Sequence, residues 1–215
     1  MKFRIIFLFV FLLTCPFQAN VFSQISIGAY TGITSPKLTG DSSPYAFYDL
    51  KIGGVFGLRI DIPLSRSVDL SVLPAFTQYR GKYMVYDWND KPLDSLNVRY
   101  NVFSIPLGIT ITSMNERFYV FGGFEFRVPL SMKGYGVGNT IDLSNILRKY
   151  NIAVQFSAGY KIPIGKPLLY FELGYSQGLT KIGKETSDID SYLLRVRHRD
   201  IKFFVGIQVP LGKKD

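Results

Sequence analysis

Residues 50–62 read Leu-Lys-Ile-Gly-Gly-Val-Phe-Gly-Leu-Arg-Ile-Asp-Ile, with a two-residue period. Ile52, Gly54, Phe56, Leu58, Ile60 and Ile62 fall on one side of a two-residue repeat. Lys51, Gly53, Val55, Gly57, Arg59 and Asp61 fall on the other. A pleated strand sends successive side chains to opposite faces, so this alternation is the mark of a strand with one apolar face. The pattern recurs at Phe118–Val128, Ile152–Ile162 and Ile201–Leu211. Weaker versions run over residues 24–33, 68–80, 98–112 and 168–179, which makes eight strands in all.

The connections alternate in length. Short turns are expected at residues 63–67, 113–116 and 163–167, and long polar loops at 34–49, 81–97, 131–149 and 180–199. Within the third long loop, Ile141–Lys149 is expected to form a short helix capped by Asp142 or Ser144. Short turns at one end and long loops at the other are the habit of outer-membrane barrels. The expected fold is all-β, an eight-stranded antiparallel up-and-down transmembrane β-barrel.

Alternation alone leaves open which face is inside. A soluble lipocalin-like binding barrel turns its apolar face inward, whereas a membrane barrel turns it outward. Volume decides between them. The interior of an eight-stranded barrel is just wide enough for side chains to fill. The Phe, Ile, Leu and Val side chains of eight strands would overpack it. The opposite face supplies Gly53, Gly57, Ser71, Ala75, Ser104, Gly108, Gly123, Ala153, Ser157, Gly159, Gly174, Ser176 and Gly206, which fit a crowded lumen. The same face carries Lys51, Arg59, Asp61, Asp69, Glu125, Arg127, Lys161, Glu172 and Lys202. Five cations against four anions suits an interior of mutually paired charges, because an unpaired buried charge is costly. Tyr79, Tyr160 and Tyr175 are read as interfacial anchors of an aromatic belt.

The amino terminus reads as an export signal over residues 1–23. Lys2 and Arg4 precede an apolar run from Ile5 to Leu13, and Val21 and Ser23 sit at positions −3 and −1 of a cleavage site before Gln24. The run is far short of the ~20 residues a membrane helix needs. Cys15, the one cysteine of the chain, is expected to leave with this peptide; Thr14 makes a poor lipidation motif. Residues 24–215 then form the barrel domain.

The 215 residues are 19% charged and 47% hydrophobic, with one His and a formal charge of +9. One cysteine excludes a disulfide scaffold and a thiolate zinc site, a single His argues against a His-centred metal site, and no cofactor is expected. The basic balance, without a nucleic-acid-binding motif, points to anionic lipid rather than nucleic acid. His198 stands in Arg195-Val196-Arg197-His198-Arg199, with Ser191 and Asp200 near it in sequence. That spacing defines no catalytic triad, so no catalytic residue is assigned. The arginines Arg195, Arg197 and Arg199 are read as an outer rim suited to lipopolysaccharide phosphates.

Three stretches resemble the PorT-type family of small outer-membrane barrels. Val102-Phe103-Ser104-Ile105-Pro106-Leu107-Gly108 resembles its Ile-Pro-Leu strand, and Phe118-Tyr119-Val120-Phe121-Gly122-Gly123 its Gly-Gly strand. Residues 171–182 resemble its Glu-x-x-Tyr-x-x-Gly-Leu-x-x-Ile strand. The resemblance covers about residues 24–212. It implies a bacterial outer-membrane location and an eight-stranded barrel. The last strand, with Gly206, Val209 and Leu211, resembles the barrel-assembly signal, so the barrel-assembly machinery is an expected partner. The namesake takes part in protein secretion. The expected function is therefore a non-enzymatic scaffold, adhesion or secretion-accessory role, exercised on an envelope partner through the long loops. A lipid A-modifying enzyme is the alternative that His198 keeps open.

Overall fold

The computed structural model describes residues 25–39, 46–86, 92–135, 140–142, 144–183 and 197–211. The export signal and Arg195 lie outside the described residues. The strands are β1 (Ser26–Thr39), β2 (Ala46–Pro63), β3 (Val68–Val72), β4 (Ala75–Tyr86), β5 (Pro92–Thr112), β6 (Phe118–Tyr135), β7 (Thr140–Asp142), β8 (Asn151–Pro163), β9 (Leu168–Gly178) and β10 (Arg197–Pro210).

β3 and β4 form one stave interrupted at Leu73-Pro74; Pro74 has no N–H to give a ladder. The sheet stays joined there, because Leu73 N donates to Pro106 O and Pro74 O accepts from Leu58 N, both at 2.9 Å. β7 is a short addition to the top of β6. With these merged, eight staves pair antiparallel in chain order, and β1 closes the ring on β10 over the full register from Ser26↔Pro210 to Thr39↔Arg197. Around the membrane-crossing part, closure leaves no open edge, which a wall facing hydrocarbon requires.

Large apolar groups coat the outside. Phe56 is 62% exposed, Phe124 55%, Phe156 60% and Leu173 60%. The small residues anticipated for the lumen all face inward. Three of them have a specific neighbour: Tyr30, Tyr119 and Tyr170 lie over their cross-strand partners Gly57, Gly159 and Gly206. A Cβ on Gly57 would come within 2.7 Å of Tyr30 Cζ, and one on Gly206 within 2.5 Å of Tyr170 Cζ. The glycines are the space into which the rings fold. With the greasy face outward, the lipocalin-like alternative falls.

The strands outrun the sequence-based expectation. β1 continues to Thr39 and β2 begins at Ala46 inside the expected loop 34–49, while β4, β5 and β6 extend likewise. Polarity in these stretches reports water, and a paired strand standing above the membrane is polar without losing its ladder. The expected helix at Ile141–Lys149 is a single 3₁₀ turn, Ser144–Ile146. Asp142 does cap it, its Oδ1 accepting from Ser144 N at 2.9 Å.

Of the three register shifts among the described strands, two change the face of a residue used below. Between Asn101↔Ser131 and Val102↔Pro129 an extra residue, Leu130, is inserted in β6. Between Lys51↔Arg80 and Gly54↔Gln78 one extra residue is inserted in β2. A bulge inverts the alternation beyond it.

Candidate functional site in the filled lumen

Arg59 and Asp61 are two residues apart on β2, so both side chains enter the lumen from the same stave. Arg59 is wholly buried. Its Nε donates to Asp61 Oδ2 at 2.9 Å, its Nη1 to Glu172 Oε2 at 2.7 Å, and its Nη2 to Thr110 Oγ1 at 2.9 Å. Asp61 also accepts from Ser71 Oγ at 2.6 Å and from Gln208 Nε2 at 2.7 Å. Tyr119 OH donates to Glu172 Oε2 at 2.7 Å. The guanidinium lies 4.8 Å from the centre of the Tyr119 ring and 5.5 Å from that of Tyr170. Lys161 Nζ lies 5.0 Å from the Tyr119 ring centre, and half-buried Asp69 faces the lumen on β3. This layer, near the short turns, ties together β2, β3, β5, β6, β9 and β10.

A second layer lies further along the axis. Glu125 and Arg127 on β6 repeat the two-residue spacing, as do Asp200 and Lys202 on β10. Arg127 Nη2 donates to Asp200 Oδ2 at 2.6 Å, to Glu125 Oε2 at 2.7 Å and to Ser176 Oγ at 2.8 Å. Lys202 Nζ donates to Glu125 Oε1 at 2.7 Å and to Gln155 Oε1 at 3.1 Å. Two cations meet two anions. Each charge therefore has an opposite partner, which offsets the desolvation that would otherwise exclude it.

Above this layer the lumen turns apolar. His198 stacks against Tyr79 and Tyr100, ring centres 5.4 Å away in each case. Its Nδ1 is 3.9 Å from Asp200 Oδ1. Leu147 and Ile182 fold inward beside Tyr79, Tyr100, Val102 and Met132. Arg148 N donates to Ile182 O at 2.9 Å and joins the two inward segments.

The sequence-derived interior set is brought together with one exception. Lys51 is exposed: it pairs with outward-facing Arg80 just beyond the β2 bulge, so its parity is inverted. Asp200 and His198 are lumen residues outside the interior set expected from the sequence. Their signal was available, because both share parity with Lys202. Tyr79 is likewise a lumen residue and not an interfacial anchor. It shares parity with Ser71 and Ala75, and its hydroxyl donates to Asp200 Oδ2 at 3.3 Å. Tyr160 and Tyr175 do face outward. Arg197 and Arg199 are exposed at the far end of β10, where Arg199 Nε donates to Gln177 Oε1 at 3.0 Å.

Sequence and structure comparisons agree with this architecture. The family model for the outer membrane protein beta-barrel domain matches residues 18–183. No curated protein sequence matches. The outer membrane protein OprG from Pseudomonas aeruginosa has a similar fold at 9% identity, with a TM-score of 0.52 over 89% of this chain and 97% of that one. The attachment invasion locus protein Ail of Yersinia pestis aligns at 12% identity and a TM-score of 0.44, over 86% of this chain and 99% of that one.

Proposed function

Because the chain belongs to the outer membrane protein beta-barrel domain family and is an integral outer-membrane barrel, we propose that it works by presenting its far end to a partner. In this reading it is a non-enzymatic scaffold, adhesion or secretion-accessory protein of the PorT type. It is exported by its first 23 residues, and it is inserted by the barrel-assembly machinery.

The observation that carries the reading is a mismatch of length and contents. A tilted crossing takes about 9–11 residues. β5 has 21 and β6 has 18. About half of β5 therefore stands outside the membrane, paired with β4 and β6 as a projecting sheet. The lumen beneath is occupied by two interlocked charge layers, which favours a support over a conduit. The exposed Arg197 and Arg199 at this end suit lipopolysaccharide phosphates.

The test is photocrosslinking in cells from Asn97 and Lys133, exposed positions of the projecting sheet, together with planar-bilayer recording of the purified barrel. A discrete crosslinked envelope protein and an absence of stepwise conductance are expected. Crosslinks to lipid alone, or regular conductance steps, would overturn the reading.

A further inference from the structure

The outer wall is not uniformly bulky. Across β5, β6, β8, β9 and β10 it holds a groove of about 740 Å³, floored by Gly122 and Ala158 and walled by Ile109, Phe156, Leu173 and Tyr175. The floor residues sit on neighbouring staves: Gly122 pairs with Ile109 and Phe156, and Ala158 with Leu173. Two small side chains among large ones leave the depression.

The smallness of Gly122 is not required by the chain's own packing. A Cβ there would meet nothing nearer than Phe156 Cδ1 at 3.5 Å, an ordinary contact. The lumen glycines differ. A Cβ on Gly53 would lie 2.5 Å from Gln78 O, and one on Gly57 2.5 Å from Pro74 O. The space over Gly122 is therefore open to something outside the protein.

The groove has a charged end. Tyr160 lies two residues from Ala158 along β8 towards the short turns, about 7 Å away at the strand rise. The hydroxyl of Tyr160 is 3.5 Å from Arg117 Nη1. Exposed Lys166 occupies the adjoining turn, and Glu116 is the one acid in these two turns. Short turns of outer-membrane barrels face the periplasm. We propose that this groove is a binding site for one anionic diacyl phospholipid of the periplasmic leaflet. An acyl chain lies over Gly122 and Ala158, and the headgroup phosphate is held by Arg117, Tyr160 and Lys166. A guanidinium beside a phenol is suited to phosphate oxygens, and the apolar walls accept the chain. The site is independent of the partner-presenting end.

The test uses the full-length barrel, delipidated in detergent and titrated with dioleoyl phosphatidylglycerol under native mass spectrometry. A dominant one-lipid adduct is expected. Gly122→Leu, which fills the floor, and Arg117→Gln, which removes the phosphate contact, are each expected to weaken it at least ten-fold. Ala29→Leu, on the outward face of β1, leaves it unchanged. A diazirine-labelled phosphatidylglycerol should label peptides of β6 and β8 in the unsubstituted barrel, so the proposal stays testable if a variant fails to fold. Equal adducts in Gly122→Leu, a ladder of adducts without preference for one, labelling spread evenly around the wall, or a dimer that Gly122→Leu abolishes would each overturn it.

Discussion

Arg59 Nη1 lies 2.7 Å from Glu172 Oε2, joining β2 to β9 across 113 residues of chain with neither side chain exposed. The pair staples staves that are not neighbours in the ring. Its value lies in the cost of breaking it. Arg59→Met leaves Glu172 and Asp61 without their cation, and removing one partner of a buried pair costs about 3–5 kcal/mol. Glu172→Gln should cost less, because Arg59 keeps Asp61. Urea titration of the barrel in vesicles measures both. Equal, negligible losses would mean that the charges are solvated in the folded protein.

The outward orientation makes a depth-dependent prediction. Phe124 is 55% exposed and lies midway along the membrane-crossing part of β6. Phe124→Arg should destabilise by about 2–4 kcal/mol, the range for a cation on the lipid face near the midplane. Asn97→Arg, at an uncharged exposed position of the projecting sheet, puts its new charge in water and should be near neutral. Vesicle unfolding free energies decide the comparison.

Gly159→Val tests the tyrosine–glycine pairs. The added Cβ would be forced onto the Tyr119 ring. Overpacking typically costs about 1–3 kcal/mol. Placing Gly159→Val in a Tyr119→Ala background should relieve the clash, although that background loses the Tyr119–Glu172 hydrogen bond. Heat-modifiable gel mobility and unfolding midpoints report the coupling; strict additivity would remove the steric explanation.

Asp142 gives a pH signature outside the membrane. Hydrogen bonds from Ser144 hold its carboxyl below the usual aspartate range. Ser144 in turn pins the turn to β6, its Oγ accepting from Met132 N at 3.0 Å. A depressed folded-state value means that the stabilisation is present above the ordinary aspartate value and is lost as pH falls through the folded one. The protection of the Ser144 amide, measured relative to its intrinsic exchange rate, should therefore fall below about pH 4, the ordinary range for aspartate. Asp142→Asn should abolish that pH dependence.

The bulges show where sequence reading stopped. Parity alone places Arg59, Asp61, Glu125, Arg127 and Lys202 in one lumen. It fails at Lys51, because one inserted residue in β2 inverts the face; the Gly53-Gly54 pair permits a bulge without fixing that one is present. It stopped short at Asp200 and His198, because a run of arginines resembles a rim even where alternate residues point inward. The projecting sheet looks like loop in the sequence, because polarity marks contact with water and is silent on backbone pairing.

What the chain determined by itself was the alternation, and with it a barrel whose apolar face is too bulky to be enclosed. That follows from the two-residue pleat and the fixed volume of eight staves. Which charges meet was decided only by closure. The register of β1 on β10 brings Gln208 to Asp61, and the ring places Asp200 against Arg127. These partners are 147 and 73 residues apart. No local pattern encodes such a distance; it exists only once the sheet has curved back on itself.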